Sequence, residues 1–175
     1  SDLGTYYFKT HYYLPESALK DKADKELYKY WKQQEYLTVT SGNVTDYDYI
    51  TTDMLRYADV VNIQSVGYDK YNATQWALDS TEQGLPLEEY PQTLGNFNMP
   101  TRELERLILS GKAVIDNNEI NRYCFRNVTL KSDYNGNVKP NKAVDKKKID
   151  GTIAMIQALG MFLRNPRFSN EIITI

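Results

Sequence analysis

The stretch Val60-Val61-Asn62-Ile63-Gln64-Ser65-Val66-Gly67-Tyr68-Asp69 decides the fold class of this chain. Its apolar, β-branched character predicts a strand from Val60 to Tyr68, and Tyr71 to Gln83 follows as a helix that stops at Gly84. Strand, short loop and helix form the repeating unit of an α/β protein. In such sheets ligands collect at the carboxyl ends of strands, which is where Asp69 falls.

The alternation continues on both sides. Upstream, Gly4 to Leu14 is dense in Tyr, Phe and Thr and predicts a strand ended by Pro15. Ser17 to Gln34 spaces Leu19, Ala23, Leu27, Tyr30 and Trp31 as the apolar side of a helix, Leu37 to Thr40 is a short strand, and Tyr47 to Tyr57 is helical. Downstream, Glu88 to Gln92 and Ala113 to Ile115 are strand-like. Pro100 suits the first turn of a helix ending at Gly111, and Asn117 to Arg126 forms another helix. Val128 to Lys139 is a hairpin whose Asn135-Gly136 predicts a type I′ turn. Ile149 to Leu163 is apolar on most sides and small at Gly151, Ala154 and Ala158, so it is expected to pack deeply, with Asp150 at its amino end. No internal repeat or glycine-rich phosphate loop interrupts the pattern, and residues 1–175 are read as one domain.

Composition narrows the chemistry. A hydrophobic share of 41% with 25% charged residues excludes a disordered or fibrous chain. No run is long enough for a membrane span and no signal peptide is recognisable, so a cytoplasmic setting is expected. Cys124 and His11 are single copies, which excludes a disulfide framework or a cysteine/histidine zinc site within one chain. His11 lies in an aromatic strand, where packing or hydrogen bonding is its expected role, and carboxylates remain as the main catalytic candidates. A net charge of −2 and a pI near 5.5 argue against indiscriminate nucleic-acid binding. Between Lys131 and Lys148, however, six lysines stand against Asp133 and Asp145, a local balance of +4 that suits phosphates; a solvated lysine loop is the alternative.

Asp69 and Asp150 are the candidate pair. Carboxylates are the usual ligands of Mg²⁺ and Mn²⁺, whose shells are completed by water and substrate phosphate. Each aspartate also immediately precedes a helical pattern, so helix N-capping is the competing reading.

Several local patterns, taken in order, carry a family resemblance. They are Tyr13-Leu14-Pro15-Glu16; Tyr28 with Trp31; Leu37-Thr38-Val39-Thr40-Ser41-Gly42-Asn43-Val44; Gly67-Tyr68-Asp69; Met99-Pro100 with Leu104-Glu105 and Leu107-Ile108; Arg126-Asn127-Val128; and Lys148-Ile149-Asp150-Gly151 followed by Ala154. In this order and spacing the chain resembles the nuclease domain of the large terminase subunit of tailed bacteriophages. The resemblance implies an α/β, ribonuclease-H-like fold, a mixed β-sheet flanked by helices, with acidic residues on neighbouring elements holding Mg²⁺ or Mn²⁺. It implies an endonuclease that cuts concatemeric double-stranded DNA at the initiation and termination of packaging, in the cytoplasm of a bacterial host. It further implies the small terminase subunit and the portal of the procapsid as partners, and no membrane.

By resemblance Asp69 is the strand-end acid and Asp150 the helix acid, with Lys146, Lys147 and Lys148 placed to neutralise DNA phosphates. Lys147 stands where some members carry a further ligand, and the hairpin is expected to border the DNA path. The family's first metal-binding aspartate lies on a strand before the segment matching Gly4 to Leu14. The expectation is therefore a C-terminal fragment that lacks that first strand and the ATPase half and carries two of three metal ligands, which leaves open whether it is active alone. An integrase- or resolvase-type nuclease and a non-catalytic docking module for DNA or portal are the alternatives.

Overall fold

The structure, a computed structural model, describes residues 4–21, 24–71, 73–145, 147–165 and 173–174. In chain order the elements are β1 Tyr6–Lys9, β2 Tyr13–Pro15, α1 Ala18–Asp21, α2 Lys25–Gln33, β3 Thr38–Thr40, α3 Tyr47–Ala58, β4 Val66–Tyr68 and α4 Thr74–Glu82. They continue as β5 Leu87–Glu89, α5 Leu94–Leu109, β6 Ala113–Ile115, α6 Glu119–Asn127, β7 Val128–Ser132, β8 Val138–Lys142, α7 Asp150–Arg164 and β9 Ile173–Thr174. β1 pairs in parallel with β6 and β9, β2 with β3, and β4 with β5; among the described residues only β7 and β8 pair antiparallel, as a hairpin. Parallel pairs need long crossovers, and the helices supply them. In the unit around Asp69, α4 joins β4 to β5, with Val66 opposite Leu87 and Tyr68 opposite Glu89.

The core lies between β1 and the helices α5 and α7, where Phe8, Phe97, Leu104, Leu107, Met155 and Leu159 are all buried. A second cluster forms where α2 meets α6, around Trp31, Tyr28, Ile120 and Cys124. α7 packs against α5, α6, β4 and β9, which explains why its sequence is apolar on most sides. Two glycines allow that closeness. A Cβ on Gly160 would fall on the Tyr90 ring, and one on Gly67 of β4 would meet the Met161 side chain at 2.6 Å.

Several expected elements are cut or shifted, each for a tertiary reason. The strand expected over Gly4 to Leu14 is two, because the chain turns at Thr10–Tyr12 to leave the β6 edge and join β3. Thr10 is drawn inward there, its hydroxyl within 3.0 Å of both Asp116 and Asn121. The helix expected over Ser17 to Gln34 is split into α1 and α2; Trp31 is buried, Tyr30 turns outward at 44% exposure, and Ala23 lies outside the described residues. Of the strand expected over Val60 to Tyr68, only Val66–Tyr68 forms. The amides of Val60 and Val61 are both spent on the Tyr57 carbonyl, closing the end of α3. The strand expected over Glu88 to Gln92 forms at Leu87–Glu89 instead.

Pro100 sits inside α5 rather than in its first turn, since the helix begins at Leu94 with Thr93 as N-cap. Proline donates no hydrogen bond, so the carbonyl of Asn96, four residues back, loses its helical partner. The Tyr90 hydroxyl donates to that carbonyl at 2.7 Å and restores the balance.

The hairpin also differs. Asp133 and Asn137 bracket a loop in which the Gly136 amide donates to the Asp133 carbonyl, and Gly136 alone of the loop has a left-handed φ, 78°. The Asp133 carboxylate collects the amides of Asn135 and Asn137. This is a three-residue connection closed by a glycine in the left-handed region, not the two-residue type I′ turn. Asn98 and Arg102 of α5 brace the loop, Arg102 donating to the Gly136 carbonyl at 2.6 Å.

Candidate active site

Asp150 is the first residue of α7, and its side chain is exposed. It borders a cavity of about 150 Å³ lined by Thr10, His11, Tyr12, Tyr13, Gly151 and Ala154. The residue before it, Ile149, occupies the N-cap position and offers no side-chain acceptor. Among the described residues the Asp150 carboxylate accepts no hydrogen bond. Asp150 is therefore not a capping residue.

Asp69 follows β4 and is exposed. One carboxylate oxygen accepts the Tyr71 amide at 3.1 Å, and the other accepts the Gln92 side-chain amide at 2.8 Å. The N-cap of α4 is Ala73, so Asp69 turns the loop without capping the helix. The capping reading thus fails for both aspartates.

No hydrogen bond joins the two acids; residues near each of them reach the same helix, α3. Tyr13, on the cavity wall with Asp150, donates to Asp53 at 3.0 Å, and the Tyr57 hydroxyl lies 2.8 Å from His11 Nε2. Further along α3, Thr51 accepts from the Trp76 indole, whose ring packs edge-on against Tyr68, the residue before Asp69. Among the described residues there is no group of three or more His, Cys, Asp or Glu side chains arranged to hold a metal ion.

His11 has the hydrogen-bonding role expected of it. Burial first and the Lys9 ammonium second hold its imidazole below the ordinary range, against the opposing pull of Asp116 and Asp53. Of the lysine run, Lys147 is half-buried with its ammonium 5.6 Å from the centre of the Tyr123 ring, Lys148 is exposed, and Lys146 lies outside the described residues.

Three supporting residues escaped the sequence reading. Gln92 fixes Asp69, and its own carbonyl accepts Lys139 of the hairpin at 3.4 Å. Cys124, buried on α6, lies beside the amides of Gly151 and Thr152; burial raises its thiol pKa, while those amides pull it down. Tyr12 donates to Asn121 at 2.6 Å beside the same helix end. Nothing in local spacing signals these contacts, which join residues 23 to 109 positions apart where they are hydrogen-bonded side-chain pairs.

The family model described as "Terminase large subunit, endonuclease domain" matches residues 1–165. The chain belongs to that family. The large terminase subunit of Enterobacteria phage HK97 is 26% identical to it over 153 residues, covering 85% of this chain and 30% of that protein. Protein YmfN of Escherichia coli K12 is 32% identical over 168 residues, covering 87% of this chain and 37% of its own length. The chain therefore spans about a third of the length of the curated relatives it matches. The crystal structure of the HK97 large terminase superposes with a TM-score of 0.75 over 85% of this chain and 32% of that one, at 26% identity. The large terminase nuclease of thermophilic phage G20c shares the fold, with a TM-score of 0.54 at 14% identity, covering 67% of this chain and 63% of that one. The ribonuclease-H-like α/β fold and the terminase endonuclease assignment both stand, against an integrase or resolvase.

Proposed function

We propose that this chain is the divalent-metal-dependent endonuclease module of a viral DNA-packaging machine, cutting concatemeric double-stranded DNA by phosphodiester hydrolysis when packaging begins and ends. The observation that carries this reading is Asp150, an exposed carboxylate without a hydrogen-bond partner among the described residues. It stands on the first turn of α7 at the edge of a cavity, in a chain of the terminase endonuclease family. A carboxylate whose oxygens accept no hydrogen bond keeps its lone pairs available to a cation.

The donor set fits Mg²⁺ or Mn²⁺, hard ions ordinarily held by one or two carboxylates with water and substrate phosphate completing the shell. Asp150 and Asp69 are the proposed ligands, each Asp69 oxygen accepting a single hydrogen bond and so keeping a lone pair. When bound, the metal supplies Lewis acidity and a lowered pKa for its water. The protein's part is to orient: Gln92 keeps the Asp69 carboxylate facing one way. Lys148, with Lys146 and Lys147, neutralises flanking phosphates. The proposed partners are double-stranded DNA, the small terminase subunit and the portal of the procapsid, in the host cytoplasm. No helix among the described residues is long and apolar enough to cross a membrane.

Plasmid cleavage with Mn²⁺, measured on the full-length protein that carries this chain, tests the proposal. Asp150→Asn is expected to slow cutting by more than about a hundredfold, beyond the loss typical of a merely supporting residue. Cutting at the parent rate by Asp69→Ala and Asp150→Ala would remove the assignment and leave a docking module.

A further inference from the structure

The amino end of α7 is held in an unusual way. The first amides of a helix have no partner within it, and a side chain at the N-cap ordinarily takes one. Ile149 cannot, and Cys124 of α6 is buried beside the amides of Gly151 and Thr152. The Tyr12 hydroxyl lies against Gly151, in the space that a Cβ there would occupy. That hydroxyl is not free to turn away. It donates to Asn121 Oδ1 at 2.6 Å, and the other end of the same amide is fixed by two donations to Asp116, to its carboxylate at 2.6 Å and its carbonyl at 3.3 Å. Asn121 is itself only 2% exposed. The backbone of Tyr12 is tied from the other side, its carbonyl accepting the Thr38 amide at 2.8 Å.

These contacts bear on Asp150 because no described residue grips its carboxylate directly. Its position is the position of the helix end, and the helix end rests on Tyr12. We propose that Tyr12 is a positioning residue: its hydroxyl, locked between Asn121 and Gly151, sets the height of the α7 amino end and thereby where the Asp150 carboxylate stands. The inference rests on Asp150 being a metal ligand. It also explains why residue 151 is glycine. The backbone there has no need of a left-handed φ; the requirement is room for the tyrosine oxygen. Groups that orient a ligand from behind typically govern metal affinity by 10–100-fold.

The test is Mn²⁺ affinity, read by the electron paramagnetic resonance of free Mn²⁺ rather than by cleavage. Tyr12→Phe removes one oxygen and keeps the ring; it is expected to retain the fold by circular dichroism and to bind Mn²⁺ about tenfold more weakly. Gly151→Ala drives a methyl onto the tyrosine hydroxyl and weakens binding further. Adding Tyr12→Phe to it relieves part of that overlap, so the double variant binds more tightly than Gly151→Ala alone, a coupling that independent sites would not show. Parent-like affinity in Tyr12→Phe, or additive losses in the double variant, would overturn the proposal. Asp150→Asn run alongside separates the two failures. If it binds Mn²⁺ as the parent does, the metal reading falls and takes this inference with it. If it loses Mn²⁺ while Tyr12→Phe keeps it, only the positioning role falls. Should Gly151→Ala fail to fold, Tyr12→Phe alone decides.

Discussion

His11 is the chain's one histidine, so its titration can be isolated by substitution. Burial and Lys9 lower its pKa in the folded state. The unfolded chain titrates near 6.5, so just below that pH it binds more protons than the folded one, and acidification favours unfolding. The stability carried by neutral His11 is whole above about pH 6.5 and is lost as pH falls toward the lowered folded value. Thermal unfolding of the parent should therefore lose more between pH 7 and pH 5 than that of His11→Asn, which cannot titrate. Equal losses would show that His11 is not held neutral. Tyrosine hydroxyls do comparable work elsewhere: those of Tyr12, Tyr13, Tyr57 and Tyr90 all bond inside the fold, giving several of the fifteen tyrosines a structural role that composition alone left unexplained.

Within elements, α5 shows how a local fault is repaired at long range. Pro100 removes one helical hydrogen bond, and the Tyr90 hydroxyl replaces it at the Asn96 carbonyl. Tyr90→Phe leaves that carbonyl without a partner and is expected to cost about 1–3 kcal/mol in chemical denaturation. In a Pro100→Ala background the residue-100 amide can bond Asn96 itself, and the same substitution should cost clearly less. Identical costs in both backgrounds would disprove the link. The α7 amino end is a second case: Ile149 offers no side-chain cap, and Tyr12 packs its hydroxyl against Gly151 from far along the chain. Where caps are local they match residue type: Asp46, Thr93 and Asn118 each accept an amide two or three residues ahead.

Across the whole molecule, charge is uneven. The net charge is −2, yet Lys131, Lys139 and Lys142 stand on the hairpin and Lys147 and Lys148 on the approach to Asp150. Double-stranded DNA should bind through phosphate contacts with strong salt dependence and little sequence preference. Reversing Lys147 and Lys148 to Glu is expected to lower the slope of log affinity against log salt by about 2, close to one unit per lost contact. An unchanged slope would place the DNA path elsewhere. The hairpin is linked to the acid at the strand end, since Lys139 bonds the carbonyl of Gln92 and the Gln92 amide holds Asp69.

The alternation of strands and helices, the helix stops at Gly84 and Gly111 and the family are legible along the chain, which also nominates Asp69 and Asp150 as candidate acids. These rest on periodicity, backbone preference and ordered motifs, all properties of neighbours along the chain. Only the tertiary structure decided that the first strand breaks at Thr10–Tyr12, that Val60–Ser65 is not strand, and that Pro100 lies within a helix. It also decided that neither aspartate caps a helix, because Ala73 and Ile149 occupy the two N-cap positions and Gln92 holds Asp69. Those outcomes depend on which distant group reaches a carbonyl, an amide or a carboxylate first, and no pattern of near neighbours carries that information.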